Sequence, residues 1–221
     1  MEYYTEVKLM GDAYGAGFSN GLTMCGSQSA AAFRKVEDMG PDAVYDDDRQ
    51  HRIVLHKKAA GQAVEVSTEF INDSAEAVTL EMLSSFAIRG INADRIHRLQ
   101  SFWSAEGKLR TESIEELHLE PSWNRCGMRV EKFGNVGSMP VRKYFPFLVV
   151  EDSKKQEFLG IQLYCPSSWQ IEILCKDDDT LTIAGGIADR DFGHWMKKLS
   201  PGEKFVTPKA VIAGGNTLYE V

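Results

Sequence analysis

Acid/base cleavage of an acetal such as a glycosidic bond needs two carboxyl groups about 5 to 10 Å apart, one of them held protonated. The clusters of Asp and Glu are therefore the first place to look for chemistry. Asp46 to Asp48 and Asp177 to Asp179 are runs of like charge, which repel one another when buried and cost little when solvated. Both read as turns. Asp189 and Asp191 flank Arg190 in the pattern Asp-Arg-Asp-Phe-Gly, whose spacing fits an ion-paired loop as well as an acid/base pair. The histidines His51, His56, His97, His118 and His194 lack the i, i+4 pair with an intervening acid that marks a helical metal site, so no metal is expected. Imidazole titrates near neutral pH, which keeps His97 and His118 as candidate general acids, although a single His on a strand ordinarily only hydrogen-bonds within the fold. Gly134, Gly137, Gly185 and Gly186 match no phosphate-cradling pattern and read as turns, and nothing calls for a cofactor. Cys25, Cys126, Cys165 and Cys175 form no C-x-x-C pair, which predicts reduced thiols and neither a zinc nor a redox site.

The aromatic residues carry more information. An indole offers a large flat apolar face, on which the C–H face of a sugar ring stacks, and one N–H donor; loops at the end of a sandwich can turn it outward. Trp103 ends a strand expected over Ile96–Trp103 and stands beside a polar loop closed by Gly107. Trp123 has similar company in the stretch from Glu115 to Gly127. Trp169 and Trp195 lie in periodic segments and are expected in the core.

The elements that must position these residues are mostly strands. Val64, Val66, Thr68 and Phe70 alternate with Glu65, Ser67 and Glu69; after Asn72-Asp73-Ser74 the alternation resumes at Val78, Leu80 and Met82. This predicts an antiparallel hairpin. Further short strands are expected at Arg52–His56, Met128–Phe133, Phe145–Glu151, Glu157–Tyr164 and Trp169–Cys175, a spacing of about ten residues that suits a sandwich. A helix is expected over Ser27–Val36, with a Ser cap, and one turn at Glu112–Leu117. In the last third, Asp177 to Asp179, Gly185-Gly186 and Pro201-Gly202 read as turns between apolar runs. The chain reads as one mainly β domain over residues 1–221, an antiparallel sandwich with one or two short helices.

Its 221 residues are enough to bury roughly 70% of the unfolded surface. A formal charge of −7 argues against nucleic acid or anionic lipid as a partner. No apolar run approaches the roughly 20 residues of a membrane helix, and Met1 to Met10 lacks the form of a signal peptide. A cytoplasmic location is expected.

Five segments stand out together: Leu99 to Gly107 (LQSFWSAEG), Leu119 to Trp123 (LEPSW), Gly137 to Phe147 (GSMPVRKYFPF), Gly160 to Trp169, and Gly186 to Val211 with Phe192, Trp195, Leu199, Pro201-Gly202-Glu203, Phe205 and Thr207-Pro208. In this order they resemble the amino-terminal domain of α-galactosidases of glycoside hydrolase family 36. The resemblance covers most of the chain after about Val64. It implies a β supersandwich akin to that of galactose mutarotase, followed in the intact enzyme by a (β/α)8 barrel that carries an Asp nucleophile and an Asp acid/base. This chain has no strand-helix alternation that could form a barrel, so no catalytic residue is expected within it. In the family a Trp of the amino-terminal domain walls the galactose pocket, and the matching position is Trp103; Glu106 is carried over with it, and Trp123 stands as a second substrate contact. The implied partners are α-galactosides or related oligosaccharides, the barrel of the same polypeptide, and further copies of the chain in a homo-oligomer. Two departures leave the sugar open: Met1 to Gly61 gives few matches, and Gly134-Asn135-Val136-Gly137-Ser138 replaces a serine-rich run. The competing readings are a free-standing carbohydrate-binding module with Trp103 and Trp123 as its platform, and an aldose epimerase drawing on His97, His118 and Glu106.

Overall fold

The computed structural model describes residues 1–15, 21–120, 128–175 and 180–221. Along the chain the strands are β1 Glu2–Tyr4, β2 Val7–Leu9, β3 Arg34–Met39, β4 Asp42–Asp46, β5 His51–Ala60, β6 Ala63–Asn72, β7 Val78–Ile91, β8 Arg95–Gln100 and β9 Leu109–Ser113. They continue as β10 Arg129–Asn135, β11 Tyr144–Asp152, β12 Glu157–Leu163, β13 Trp169–Cys175, β14 Leu181–Ile187, β15 Lys197–Leu199, β16 Lys204–Val206 and β17 Ala210–Gly215. Two short helices, α1 Gln28–Ala32 and α2 Arg190–Gly193, and a 3-10 turn at Trp103–Ala105 complete the set.

The strands form two antiparallel sheets. One, of seven strands, runs β1-β7-β14-β13-β10, with β2 and β15 also on β7. The other, of ten, runs β3-β4-β5-β6-β17-β12-β11-β8-β9, with β16 on β6. The main core lies between them, where Phe86, Ile88, Ile171, Ile173 and Ile183 of the first sheet meet Leu148, Val150, Ile161 and Ile212 of the second. This is the antiparallel sandwich that the spacing of the strands predicts.

The alternation in Ala63–Asn72 and Val78–Ile91 gives two strands, but they do not pair as a hairpin. β6 lies between β5 and β17 in the larger sheet, and β7 is the centre of the smaller one. Residues 73–77 arch from one sheet to the other. Alternation states which face of a strand is buried and not which neighbour completes its ladder. The arch is organised by Asn72, whose Nδ2 donates to the carbonyls of Glu76 (2.8 Å) and Leu199 (3.1 Å) while its Oδ1 accepts from the Ser74 hydroxyl at 2.6 Å.

Other expectations need correction. The helix at Ser27 is capped as expected, its hydroxyl accepting from Ala30 N, but it ends at Ala32. Arg34–Met39 is edge strand β3, because Val36 is the only apolar residue between Arg34 and Asp38 and no face remains to pack a longer helix. Glu112 belongs to β9, and the turn expected around it follows at residues 114–118. Gly134, Gly185 and Gly186 are strand residues rather than turns. At Gly185 a Cβ would stand 2.8 Å from the buried ring of Phe86, so the glycine permits the close packing of β14 on β7.

Strand β13 is buried on both faces. Trp169, Ile171, Ile173 and Cys175 point into the sandwich core, whereas Leu174 joins Met24, Cys25, Met82 and Ala184 in a second cluster on the outer face. Residues 21–28 cover that outer face. Cys25, Cys165 and Cys175 are buried free thiols, and Cys126 lies outside the described residues.

Candidate functional site

Strands β8 and β9 form an edge hairpin in register from Arg95 with Ser113 to Leu99 with Leu109. Its loop carries Trp103. The strand expected to run through Trp103 ends at Gln100, because the backbone there folds back on itself: Gly107 N donates to Gln100 O (2.8 Å) and Gln100 N to Lys108 O (2.9 Å). Ala105 N to Phe102 O (2.8 Å), Glu106 N to Trp103 O (3.1 Å) and Lys108 N to Ala105 O (2.9 Å) pin the remainder. Gly107, at φ +74°, supplies the left-handed closure that a side chain would resist. The result is a stiff loop with the indole at its tip.

Trp103 is 84% exposed and holds φ +39°. A bulky residue with positive φ is an outlier of the kind concentrated at ligand clamps, and here burial offers no compensation for it. Its sequence neighbours Phe102 and Ala105, with Val136, line a groove of about 670 Å³ that has Arg142 and Lys143 at its edge; Trp103 itself is not in the lining. Ser101 N donates to Lys143 O at 3.0 Å, which ties the two lips together. Glu106 is exposed on the same loop, outside the wall of the groove. Trp123 lies outside the described residues. Trp169 is fully buried in the core as expected, whereas Trp195 is half-buried at the margin of a core cluster, packing on Phe205 with ring centroids 5.4 Å apart.

The sheets behind the Trp103 loop are joined by residues that the sequence did not single out. Arg98, 3% exposed, places its guanidinium 5.0 Å from the ring centroids of both Phe133 and Tyr144. Its Nε donates to Glu112 Oε2 at 2.9 Å and its Nη1 to Glu131 Oε1 at 2.6 Å. Because Arg98 is on β8 and Glu131 and Phe133 are on β10, the cation joins the two sheets just before the Trp103 loop begins. Phe133 in turn meets Trp169 edge-on at 5.8 Å, and the Trp169 indole donates to Pro140 O at 2.5 Å, anchoring the opposite lip. Pro140 and the two groove cations fall within Gly137–Phe147, whose cluster of Arg, Lys and aromatic residues was the available signal.

The remaining candidates are occupied elsewhere. Both ring nitrogens of His97 are engaged, Nδ1 with Thr111 Oγ1 and Nε2 with Glu151 Oε2, each at 2.9 Å, which leaves no nitrogen for a substrate. His118 is exposed in a turn at φ +55°. Asp46 and Asp47 are not a freely solvated run, since the side chain of Asp47 is fully buried and accepts from the backbone N–H groups of Arg49 (2.9 Å) and His51 (2.8 Å). Asp177 to Asp179 lie outside the described residues.

Asp189 and Asp191 separate into different roles. Asp191 pairs with Arg190 at 3.0 Å, the ion-paired loop of the first expectation. Burial would raise its titration, but bonds from Tyr14 and Arg190 outweigh that and hold the carboxyl below its usual range. Asp189 caps α2 through Phe192 N (2.7 Å) and joins a buried cluster on the outer face of the seven-stranded sheet. There Lys132 Nζ lies 3.2 Å from Glu172 Oε1 and 3.3 Å from Asp189 Oδ2, and Gln170 Nε2 donates to the same oxygens at 2.7 and 2.8 Å. With its groups satisfied by one another, this cluster holds the sheet face. No group of three or more His, Cys, Asp or Glu placed to hold a metal ion is found among the described residues.

No protein-family model matches the sequence, and no curated protein matches it. Solved structures do match over nearly the whole chain. The family 36 α-galactosidase AgaB of Geobacillus stearothermophilus superposes with a TM-score of 0.68 and 15% identity, covering 98% of this chain and 27% of that one. AgaA of the same organism, in complex with raffinose, gives 0.64 and 16%, covering 97% and 27%. The α-galactosidase of Lactobacillus brevis gives 0.64 and 16%, covering 97% and 26%. At such identities the likeness establishes the fold: this chain folds like one segment of these enzymes and spans about a quarter of their length.

Proposed function

We propose that this chain is the non-catalytic amino-terminal domain of an α-galactosidase-like retaining glycoside hydrolase, bracing a catalytic barrel and lending Trp103 to the α-galactoside subsite. The observation that carries this reading is the extent of the structural match, which takes in almost all of this chain and only about 27% of AgaB. The sequence motifs around Trp103 point the same way, and the loop geometry fits the role. A pinned loop that holds an exposed indole at a strained φ spends conformational energy on presentation rather than on packing. Raffinose and stachyose are bound in the AgaA structures, and α-galactosides are the class of substrate proposed here. No catalytic carboxylate pair is assigned to this chain, and none of its carboxylates is needed for the role.

The test is kinetic. In the polypeptide joined to its barrel, Trp103→Ala lowers kcat/KM for α-galactosides by about tenfold, the loss of an aromatic contact worth roughly 1.4 kcal/mol. An unchanged kcat/KM removes Trp103 from the subsite. Glu106→Gln and Trp123→Ala, measured alongside, decide whether those side chains share the contact. Millimolar or tighter binding of raffinose by the 221-residue chain alone, with no gain on adding the barrel, would instead make it a self-sufficient binding module.

A further inference from the structure

We propose that the groove beside Trp103 accepts a saccharide bearing an anionic group, a phosphate or a carboxylate, with Arg142 and Lys143 as its counter-charges. The proposal rests on the reading that Trp103 faces a sugar, and it deepens that reading by naming the substrate class.

Three observations carry it. First, the wall of the groove contains Arg142 and Lys143 and no carboxylate, in a chain with 32 acidic and 25 basic residues. Two cations without an acid run against the balance of the molecule. Second, among the described residues Arg142 is the arginine whose guanidinium has neither an ion-pair nor a hydrogen-bond partner, and Lys143 Nζ meets only the Tyr144 ring, 5.2 Å from its centroid. The charges are exposed and uncommitted, in contrast to Arg98 beneath them. Third, the lips are fixed. Lys143 is bonded through its carbonyl to Ser101 N, and Pro140 is held by the Trp169 indole, so the backbone from which the cations project is held beside the apolar wall of Phe102 and Val136.

This combination suits one kind of ligand. A guanidinium presents paired donors that match phosphate or carboxylate oxygens, and an ammonium adds a point charge. The apolar wall takes the C–H face of a ring. A volume of about 670 Å³ is within the range for small-molecule sites and admits more than one sugar ring.

The experiment titrates the 221-residue chain with galactose 6-phosphate, galacturonate, galactose and inorganic phosphate, following tryptophan fluorescence or heat. At least one anionic sugar binds about tenfold tighter than galactose and tighter than inorganic phosphate, and the stronger of the two identifies the anion. The advantage shrinks as salt rises from about 0.02 to 0.5 M. R142Q combined with K143Q abolishes it with an unchanged circular dichroism spectrum, since both side chains are exposed. Equal affinity for charged and neutral sugars, phosphate binding as tightly as the sugar phosphate, a preference that survives in the double variant, or no binding at all would overturn the proposal. Trp103→Ala separates the two readings. If it weakens galactose and charged sugars alike and no charge preference exists, the anion assignment fails and the Trp103 reading stands. If a charge preference is present and Trp103→Ala changes no affinity, the Trp103 reading fails and the cationic groove stands.

Discussion

The hydroxyl of Thr23 donates to Oε2 of Glu172, joining the amino-terminal segment to the outer face of the seven-stranded sheet. The other carboxylate oxygen faces Lys132 at 3.2 Å. Burial pushes the Glu172 carboxyl above its usual range, and Lys132 and Thr23 only partly offset this. Burial also works against the Lys132 ammonium, but Glu172 and Asp189 outweigh it and raise its titration. Burial therefore makes ionisation of Glu172 costly even beside Lys132.

A pH dependence follows. The folded Glu172 binds its proton more tightly than the unfolded one, so its contribution to stability is full below the unfolded carboxyl value of about 4.5 and is lost as pH rises through the raised folded value. Glu172→Gln keeps an acceptor for Thr23 and cannot ionise. Urea midpoints measured from pH 4 to pH 8 should show the wild type falling relative to Glu172→Gln as pH rises. Parallel curves for the two proteins would show that burial does not control this group.

A second prediction concerns the clamp under the loop. Arg98→Met removes the cation that Glu112, Glu131 and two aromatic rings share, leaving Glu112 buried with only the exposed Arg110 beside it, at 2.9 Å. Breaking a buried ion pair from one side costs about 3 kcal/mol or more. Arg98→Lys, which keeps the charge but not the planar fork, should lose less than Arg98→Met. Denaturant titrations check both, and a loss below about 1 kcal/mol for Arg98→Met would show that the pair is effectively solvated.

Much of the sandwich was legible because alternation is local: Val64 to Phe70 and Trp169 to Cys175 state which faces are buried without reference to the rest of the chain. Pairing is not local. Asn72 looks like a hairpin turn residue in sequence, and only its bond to Leu199, 127 positions away, shows an arch between sheets. The glycines failed for a related reason, since the need for Gly185 comes from the ring of Phe86 on a neighbouring strand. At the site, Trp103 could be chosen from its type and polar, Gly-closed surroundings. The groove could not, because Phe102 and Val136 come from loops on different sheets, and the freedom of Arg142 is visible only when the partners of the other arginines are known.

The last prediction asks what the loop is for. Trp103 gains little from packing at 84% exposure, and its φ of +39° costs on the order of 1 kcal/mol. Glycine adopts that conformation without strain but adds freedom to the unfolded chain, an opposing effect of somewhat under 1 kcal/mol. Trp103→Gly should therefore leave stability unchanged or raise it by up to about 1 kcal/mol, and Trp103→Ala, which keeps the strain, should stay near wild type. Both variants lose the indole face, so both should lose sugar affinity. Denaturation midpoints and sugar titrations on the same three proteins decide the matter. If Trp103→Gly falls by more than about 1 kcal/mol, the indole serves packing and the strained turn is structural. If stability holds while affinity drops, the conformation is retained for the ligand, as expected where a binding residue is held against the local preference of the backbone.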